Sequence, residues 1–324
     1  MFSVLKYSAS HLKLWNDFIS QSKNGTFLFN RHFMDYHKDR FEDYSLMVFK
    51  DEKLVAVLPA NRVEDKLFSH QGLTYGGLVF SEKLKLKDVT FILKSILQFL
   101  EKAQLCTFNI KALPSIYSKF PNDELEYLLF ILKAQLQRTD IYSVIDGKAG
   151  KISISELRKR GIKRAKNHSL LVKELNVFED FWNQILIPNL ENTHQAKPTH
   201  SLQEIELLHQ NFNANIRQFN VYKDESIIGG TTIFETNQVA HAQYISANKI
   251  GQELGALDVL FDTLINHIFK DKSYFSFGIS NENQGQNINQ GLLYWKESFG
   301  ARSIAQNFYK IDIKNHTLLD RIFI

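Results

Sequence analysis

The 324 residues are 44% hydrophobic and 23% charged, with one cysteine and a net charge of +4. That composition excludes long disorder and a disulfide-stapled scaffold, and the length suits two domains of roughly 150 residues better than one. The mildly basic balance suits an anionic ligand such as a nucleotide without demanding nucleic acid, and DNA is not expected as a partner.

Residues 1–14 lack the charged-then-apolar pattern of a secretory leader, and no run approaches the roughly 20 apolar residues of a membrane span. The chain therefore reads as cytoplasmic. Leu46–Lys50 and Leu54–Ala60, joined by Asp51-Glu52, have the grammar of a hairpin. A third strand is expected at Gly72-Leu73-Thr74-Tyr75-Gly76-Gly77, followed by a helix and a buried strand ending Phe108-Asn109-Ile110. Cys106, in that last apolar run, reads as a core thiol. Leu125–Leu132 and Ala134–Asp146 fit either a helix or strands; because Gln135, Gln137 and Thr139 alternate with Ala134, Leu136 and Arg138, a closing strand pair is the favoured expectation. The small, turn-prone residues 146–150 make the best linker, dividing the chain into 1–147 and 148–324.

Ser153 and Glu156 have capping-box spacing and open a helix reaching His168. Ile154, Leu157, Gly161, Ile162 and Ala165 share one face of it. Arg158, Lys159, Arg160, Lys163, Arg164 and Lys166 cover the rest, either as a solvated surface or as a site for phosphates, for which Arg158 and Arg164 are the candidates. Helices are expected at 178–190 and 202–212, the second capped by Ser201 and Glu204. Between them lie His194 and His200, whose spacing is not a metal signature. Gln218–Tyr222 and Ile227–Phe234 form a second hairpin. In the strand Val239–Ser246, simple alternation puts His241, Gln243 and Ile245 on one face and Ala242, Tyr244 and Ser246 on the other. The segment from Lys249 to Ala256 has small residues ahead of a helix, so Gln252, Gly255 and Ala256 could bring backbone N–H groups to an anion. A buried strand, Tyr274–Ile279, follows.

One offset of 169 residues carries Tyr75 onto Tyr244 and Phe108 onto Phe277. It also carries Ile92, Ile96, Phe99 and Leu100 onto Phe261, Ile265, Ile268 and Phe269, positions that lie on one helical face. A duplicated strand–helix–strand unit accounts for the match.

The C-terminal run Phe277-Gly278-Ile279-Ser280-Asn281-Glu282-Asn283, then Lys296-Glu297-Ser298-Phe299-Gly300, resembles the Fem-type (FemABX) peptidyl- and aminoacyltransferases. Those enzymes carry a Phe-Gly strand end, a Gly/Asn-rich loop and a helix with Lys-x-x-Phe-Gly. The resemblance implies an α/β fold of two tandem GNAT-like domains; the loop from Gly76 to Lys87 is not a convincing phosphate cradle, so the first domain reads as a degenerate copy. It implies two neighbouring strands that splay to hold an acyl donor, and a lysine, here Lys296, near the transferred carbonyl. Gln252-x-x-Gly255 is similar to the GNAT pyrophosphate loop except that Leu257 replaces its last small residue. The His194…Pro198-x-His200-Ser201 element resembles one seen in a branch of Fem/GNAT-like proteins. The long helical hairpin of some Fem enzymes has no room here.

The expected reaction is direct N-acyl transfer from acyl-CoA to an amine such as an amino sugar or envelope precursor. No covalent intermediate and no metal are expected. Lys296, Tyr244 and His241 are the catalytic candidates, and His194, His200, Tyr75 and Asn283 the candidates for holding substrate. Two rivals stand beside it: an aminoacyl-tRNA-dependent transferase, and a non-catalytic binding protein on a GNAT scaffold. The sequence does not address oligomeric state.

Overall fold

The structure is a computed structural model; it describes residues 2–149 and 153–324, and only the backbone of Thr193 and His194. The chain divides into two compact units, Met1–Asp140 with Ala305–Ile324, and Ile141–Ile304. Sequence reasoning gave all of 148–324 to the second domain. Instead the strand Arg302–Asp312 pairs antiparallel with Thr107–Lys111, which carries residues 305–324 into the first unit.

In the first unit, Phe2–Lys6, Leu46–Lys50, Lys53–Leu58 and Val79–Phe80 form an antiparallel sheet. The expected hairpin is present, and Asp51 and Glu52 turn it with φ of 48° and 68°, the left-handed pair that matches strand twist. The helix Leu86–Lys102 buries Val89, Ile92, Leu93, Ile96, Leu97 and Leu100, a 3.6-residue stripe, against the sheet core. The segment 72–77 is not a strand. Its Gly76 packs so closely on the Ser69 carbonyl that a β carbon would lie 1.9 Å from the oxygen. Residues Glu124–Ile131 form a helix rather than half of a strand pair, because Leu128, Leu129 and Leu132 share one buried side; Gln135–Asp146 is the expected strand. Cys106 is exposed, at the junction ahead of strand Thr107–Lys111, not in the core.

In the second unit, Leu171–Leu175, Ile216–Lys223, Ser226–Glu235 and Val239–Ala247 run antiparallel in that order. Tyr274–Ile279 then joins parallel to Val239–Ala247, and the end of Gln135–Asp146 pairs antiparallel on its far side. One sheet face carries Phe219, Val221, Ile233, Ala240 and Ala242 and packs with Ala165, Ala256, Leu260 and Phe261 of two helices, Glu156–Asn167 and Ala256–Thr263. The helical segment Phe181–His194, partly wound as π-helix on either side of Pro188, packs on the same sheet; a β carbon on Gly230 would meet the Phe181 ring at 2.8 Å. Among the described residues, no helix is long and apolar enough to cross a membrane.

Candidate functional site

The parallel pairing of Val239–Ala247 with Tyr274–Ile279 lasts three residues and ends at His241 opposite Ser276. Beyond that point the first strand continues to Ala247 and the second to Ile279 without pairing to each other, so the sheet parts there. Two irregularities sit beside the opening. The second strand shifts register between Ser276 and Ile279 against its other neighbour, with Gly278 at φ +69°. The first strand bulges at Gln243: Thr232 pairs with Tyr244 and Ile233 with Ala242, leaving Gln243 extra.

That bulge overturns the alternation expected from sequence. Tyr244 takes the face that Gln243 would have held, so His241 and Tyr244 share one side of the strand.

Lys296 is 2% exposed. Its ammonium donates to the backbone carbonyls of Ile279 (2.6 Å) and Gly278 (3.2 Å), at the end of the parted strand. The helix that carries it, Gln290–Glu297, is fixed at both ends. Asn289 caps it by accepting the Leu292 N–H at 3.0 Å, and beyond its C-terminus Gly300 adopts φ +95°. Between them, Trp295 and Phe299 wedge among Phe261 and Phe277 with ring centroids 5.0–5.8 Å apart. The Lys-x-x-Phe-Gly spelling is thus a lysine, its aromatic anchor and a helix stop. Burial pushes the Lys296 ammonium down to about 7.

His241 is 7% exposed, and its Nδ1 lies 3.1 Å from Ser276 Oγ. Burial first, and the Lys296 charge second, push it down to about 4, so the ring is neutral at pH 7. Tyr244 is committed elsewhere. Its hydroxyl accepts the His200 N–H at 3.1 Å and lies 2.6 Å from His200 Nδ1, under the edge of Trp182. Burial raises it to about 12, so this phenol holds the 195–201 loop and is poorly suited to moving protons. Two of the sequence candidates, Tyr244 and His200, are therefore brought together as a loop clamp. The side chain of His194 lies outside the described residues.

At the expected anion cradle, protein packs closely against Gly255. Gly255 is left-handed at φ +80°, and a β carbon there would lie 2.6 Å from the Gly161 carbonyl oxygen. A β carbon on Gly161 would meet Asp258 Oδ2 at 1.8 Å. Asp258, in the first turn of the helix that Ala256 begins, forms an ion pair with Arg158. Burial raises the Asp258 carboxyl, opposed by that guanidinium. Gly255 and Ala256 thus serve helix packing, and Arg158 neutralises a carboxylate instead of awaiting a phosphate. Gln252 donates to the Ala247 carbonyl at 3.2 Å. Arg164 is exposed and forms no ion pair among the described residues.

The two remaining candidates have other surroundings. Tyr75 belongs to the first unit, 2% exposed, with its hydroxyl donating to Thr26 at 3.0 Å and its ring against Tyr117 and Phe29. Asn283 is exposed on the 281–288 ribbon and bonds Asn287 across it. Ser276 was not among the sequence candidates, because its place opposite His241 is defined only by the register of two strands.

No protein-family model matches the sequence, and no curated protein does. Among solved structures the chain is similar to FemX, with a TM-score of 0.69 at 9% identity over 99% of both chains. It is similar to L-PGS from Bacillus licheniformis, with a TM-score of 0.61 at 14% identity over 96% of this chain and 93% of that one. The tandem GNAT protein from the clavulanic acid biosynthesis pathway, at TM-score 0.50 and 10% identity, matches 97% of this chain and 99% of its own. From the mixed sheets to the parted parallel strands, the chain has a FemABX/GNAT-like α/β fold.

Proposed function

We propose that the protein is an acyltransferase that passes an activated acyl group to an amine at the opening beside Lys296. The observation that carries this reading is a lysine, 2% exposed, pinned to the carbonyls of Gly278 and Ile279 where two parallel strands part. A carbonyl attacked by an amine develops negative charge on oxygen, and fixed donors in a dry site stabilise it far better than water does. Lys296 supplies a cation. Held near pH 7 by burial, it can also exchange a proton as the tetrahedral adduct forms and collapses. The acceptor must arrive as a free amine, an amino sugar or envelope precursor in the first reading. The strand geometry would hold it against the donor carbonyl. In this reading the second unit carries the chemistry and the first is a degenerate copy.

For the donor, acyl-CoA is the first reading. One observation supports the second, an aminoacyl-tRNA ester: Arg158, a candidate for phosphate, is already paired with Asp258, and Gly255 packs against the Gly161 carbonyl. The exposed Arg160, Lys163 and Arg164 on the helix Glu156–Asn167 suit a polyanion approaching from outside. Thermal-shift titration with coenzyme A, acetyl-CoA and UDP-amino sugars, beside salt-dependent binding of charged tRNA, separates the donors. A clear shift with coenzyme A would reject the ester donor. Acyl transfer that survives Lys296→Ala would reject the site.

A further inference from the structure

Ser276 is completely buried, and among the described residues its hydroxyl has two hydrogen-bond partners. Its Oγ accepts the Gly278 N–H at 3.2 Å and lies 3.1 Å from His241 Nδ1. A backbone amide can only donate, so one lone pair of Oγ is taken by Gly278. The hydroxyl proton needs an acceptor, since a buried donor left without one is costly. Among the described residues the acceptor within reach is His241 Nδ1. That nitrogen must then be the bare one, and the proton of the neutral imidazole must sit on Nε2. The Nε2 edge lies against Gly278: a β carbon there would be 3.2 Å from His241 Cε1 and 3.8 Å from Nε2. A residue with a side chain at 278 would crowd the ring, and φ +69° would strain it besides.

We infer that Ser276 is a positioning residue that locks His241 as the Nε2–H tautomer, so that a neutral imidazole presents one N–H beside Gly278, next to the Lys296 ammonium. The pair then forms a two-donor hole: one charged donor on the helix Gln290–Glu297 and one neutral donor on the strand Val239–Ala247. Its ligand class is a carbonyl oxygen that gains negative charge. His241 acts in it as an electrophile and transfers no proton, because an imidazole already neutral and bearing a proton on the facing nitrogen can only donate. This rests on the acyl-transfer reading for its purpose, but not for its test.

The test is histidine-selective 15N and 13C NMR on the intact protein without substrate, with His241 assigned by loss of its signals in His241→Gln. The expected result is a non-protonated Nδ1 and a protonated Nε2. A wild-type His241 protonated on Nδ1 overturns the inference with no variant needed. Ser276→Ala should redistribute the proton between the two nitrogens, and Ser276→Thr, which keeps the hydroxyl, should restore the Nε2–H form. A tautomer unchanged in Ser276→Ala overturns the role of Ser276. Once a donor ester or thioester is in hand, His241→Phe should slow transfer by about 10²-fold or more with little change in KM, the loss typical of one oxyanion donor. If the tautomer behaves as expected and no acyl donor is ever turned over, the acyl-transfer reading fails while the positioning role stands.

Discussion

Replacing Lys296 by methionine should change stability in a way that depends on pH with a definite sign. A lysine in the unfolded chain titrates near its ordinary value of 10.5, whereas burial brings Lys296 to about 7. Below pH 7 the amine is protonated in both states, and the native state bears the whole desolvation cost of a buried ammonium. Between pH 7 and 10.5 the unfolded chain holds a proton that the native state has released, so wild-type stability rises with pH. Above 10.5 the cost is gone. A span of about three and a half units corresponds to about 5 kcal/mol. Methionine keeps much of the volume and removes the charge, but it leaves the carbonyls of Gly278 and Ile279 without their donor, at about 1–3 kcal/mol each. That loss does not vary with pH, so the difference between variant and wild type isolates the lysine. The Tm of Lys296→Met minus that of wild type should be highest near pH 6. It should fall by about 3–5 °C per pH unit from pH 7.5 to 9.5, for a slope of about 1.4 kcal/mol per unit acting on a unit of this size. Differential scanning calorimetry of both proteins across that range reads it directly. Parallel Tm profiles would mean that the ammonium is not desolvated, and the geometry assigned to the site would fall with it.

His241 should show the same sign at lower pH. Its native value of about 4 against an ordinary 6.5 means stability is lost as pH falls from 6.5 toward 4, by up to about 3 kcal/mol, and His241→Gln should flatten that part of the wild-type acid profile. Gly161→Ala should lower Tm by several degrees, because the new methyl must displace Asp258 from its contact, whereas alanine at exposed Arg160 should be near neutral; equal effects would refute the packing role. Tyr244→Phe should cost about 1–3 kcal/mol in chemical denaturation by leaving the His200 amide and Nδ1 without the hydroxyl, and limited proteolysis should then cut the 195–201 loop faster. Phe299→Ala should cost about 3–5 kcal/mol and loosen the lysine helix, seen as a rise in the Lys296 titration midpoint toward the ordinary value.

The parts of the site that were legible in the sequence were those written in local spelling. Ser201 and Glu204 read as a capping box, and both of its hydrogen bonds are present at 3.2 and 2.8 Å. Lys296, Phe299 and Gly300 read as a motif because anchor and helix stop lie within four residues of the lysine. What was not legible depends on partners far away in the chain. Alternation could not place Tyr244, because the bulge at Gln243 is defined only against Thr232 and Ile233 of the neighbouring strand. Gly255 looked like a loop for phosphate because glycine permits close approach, and sequence does not say by what: here it is Gly161, nearly a hundred residues earlier. Arg158 looked free for the same reason, its partner Asp258 lying on another helix. The last strand escaped the domain boundary because its pairing with Thr107–Lys111 spans most of the chain.

The split composition of the first unit sets an order on biosynthesis. Ile141–Ile304 is contiguous and can condense as soon as it leaves the ribosome, while the outer unit lacks Ile311, Ile313 and Leu319 of its core until Ala305–Ile324 is made. At translation rates of about 5–20 residues per second, residues 1–140 wait roughly 10–40 s with the edge of Thr107–Lys111 uncovered. The contiguous unit should therefore acquire protease resistance first, before the edge of Thr107–Lys111 is covered.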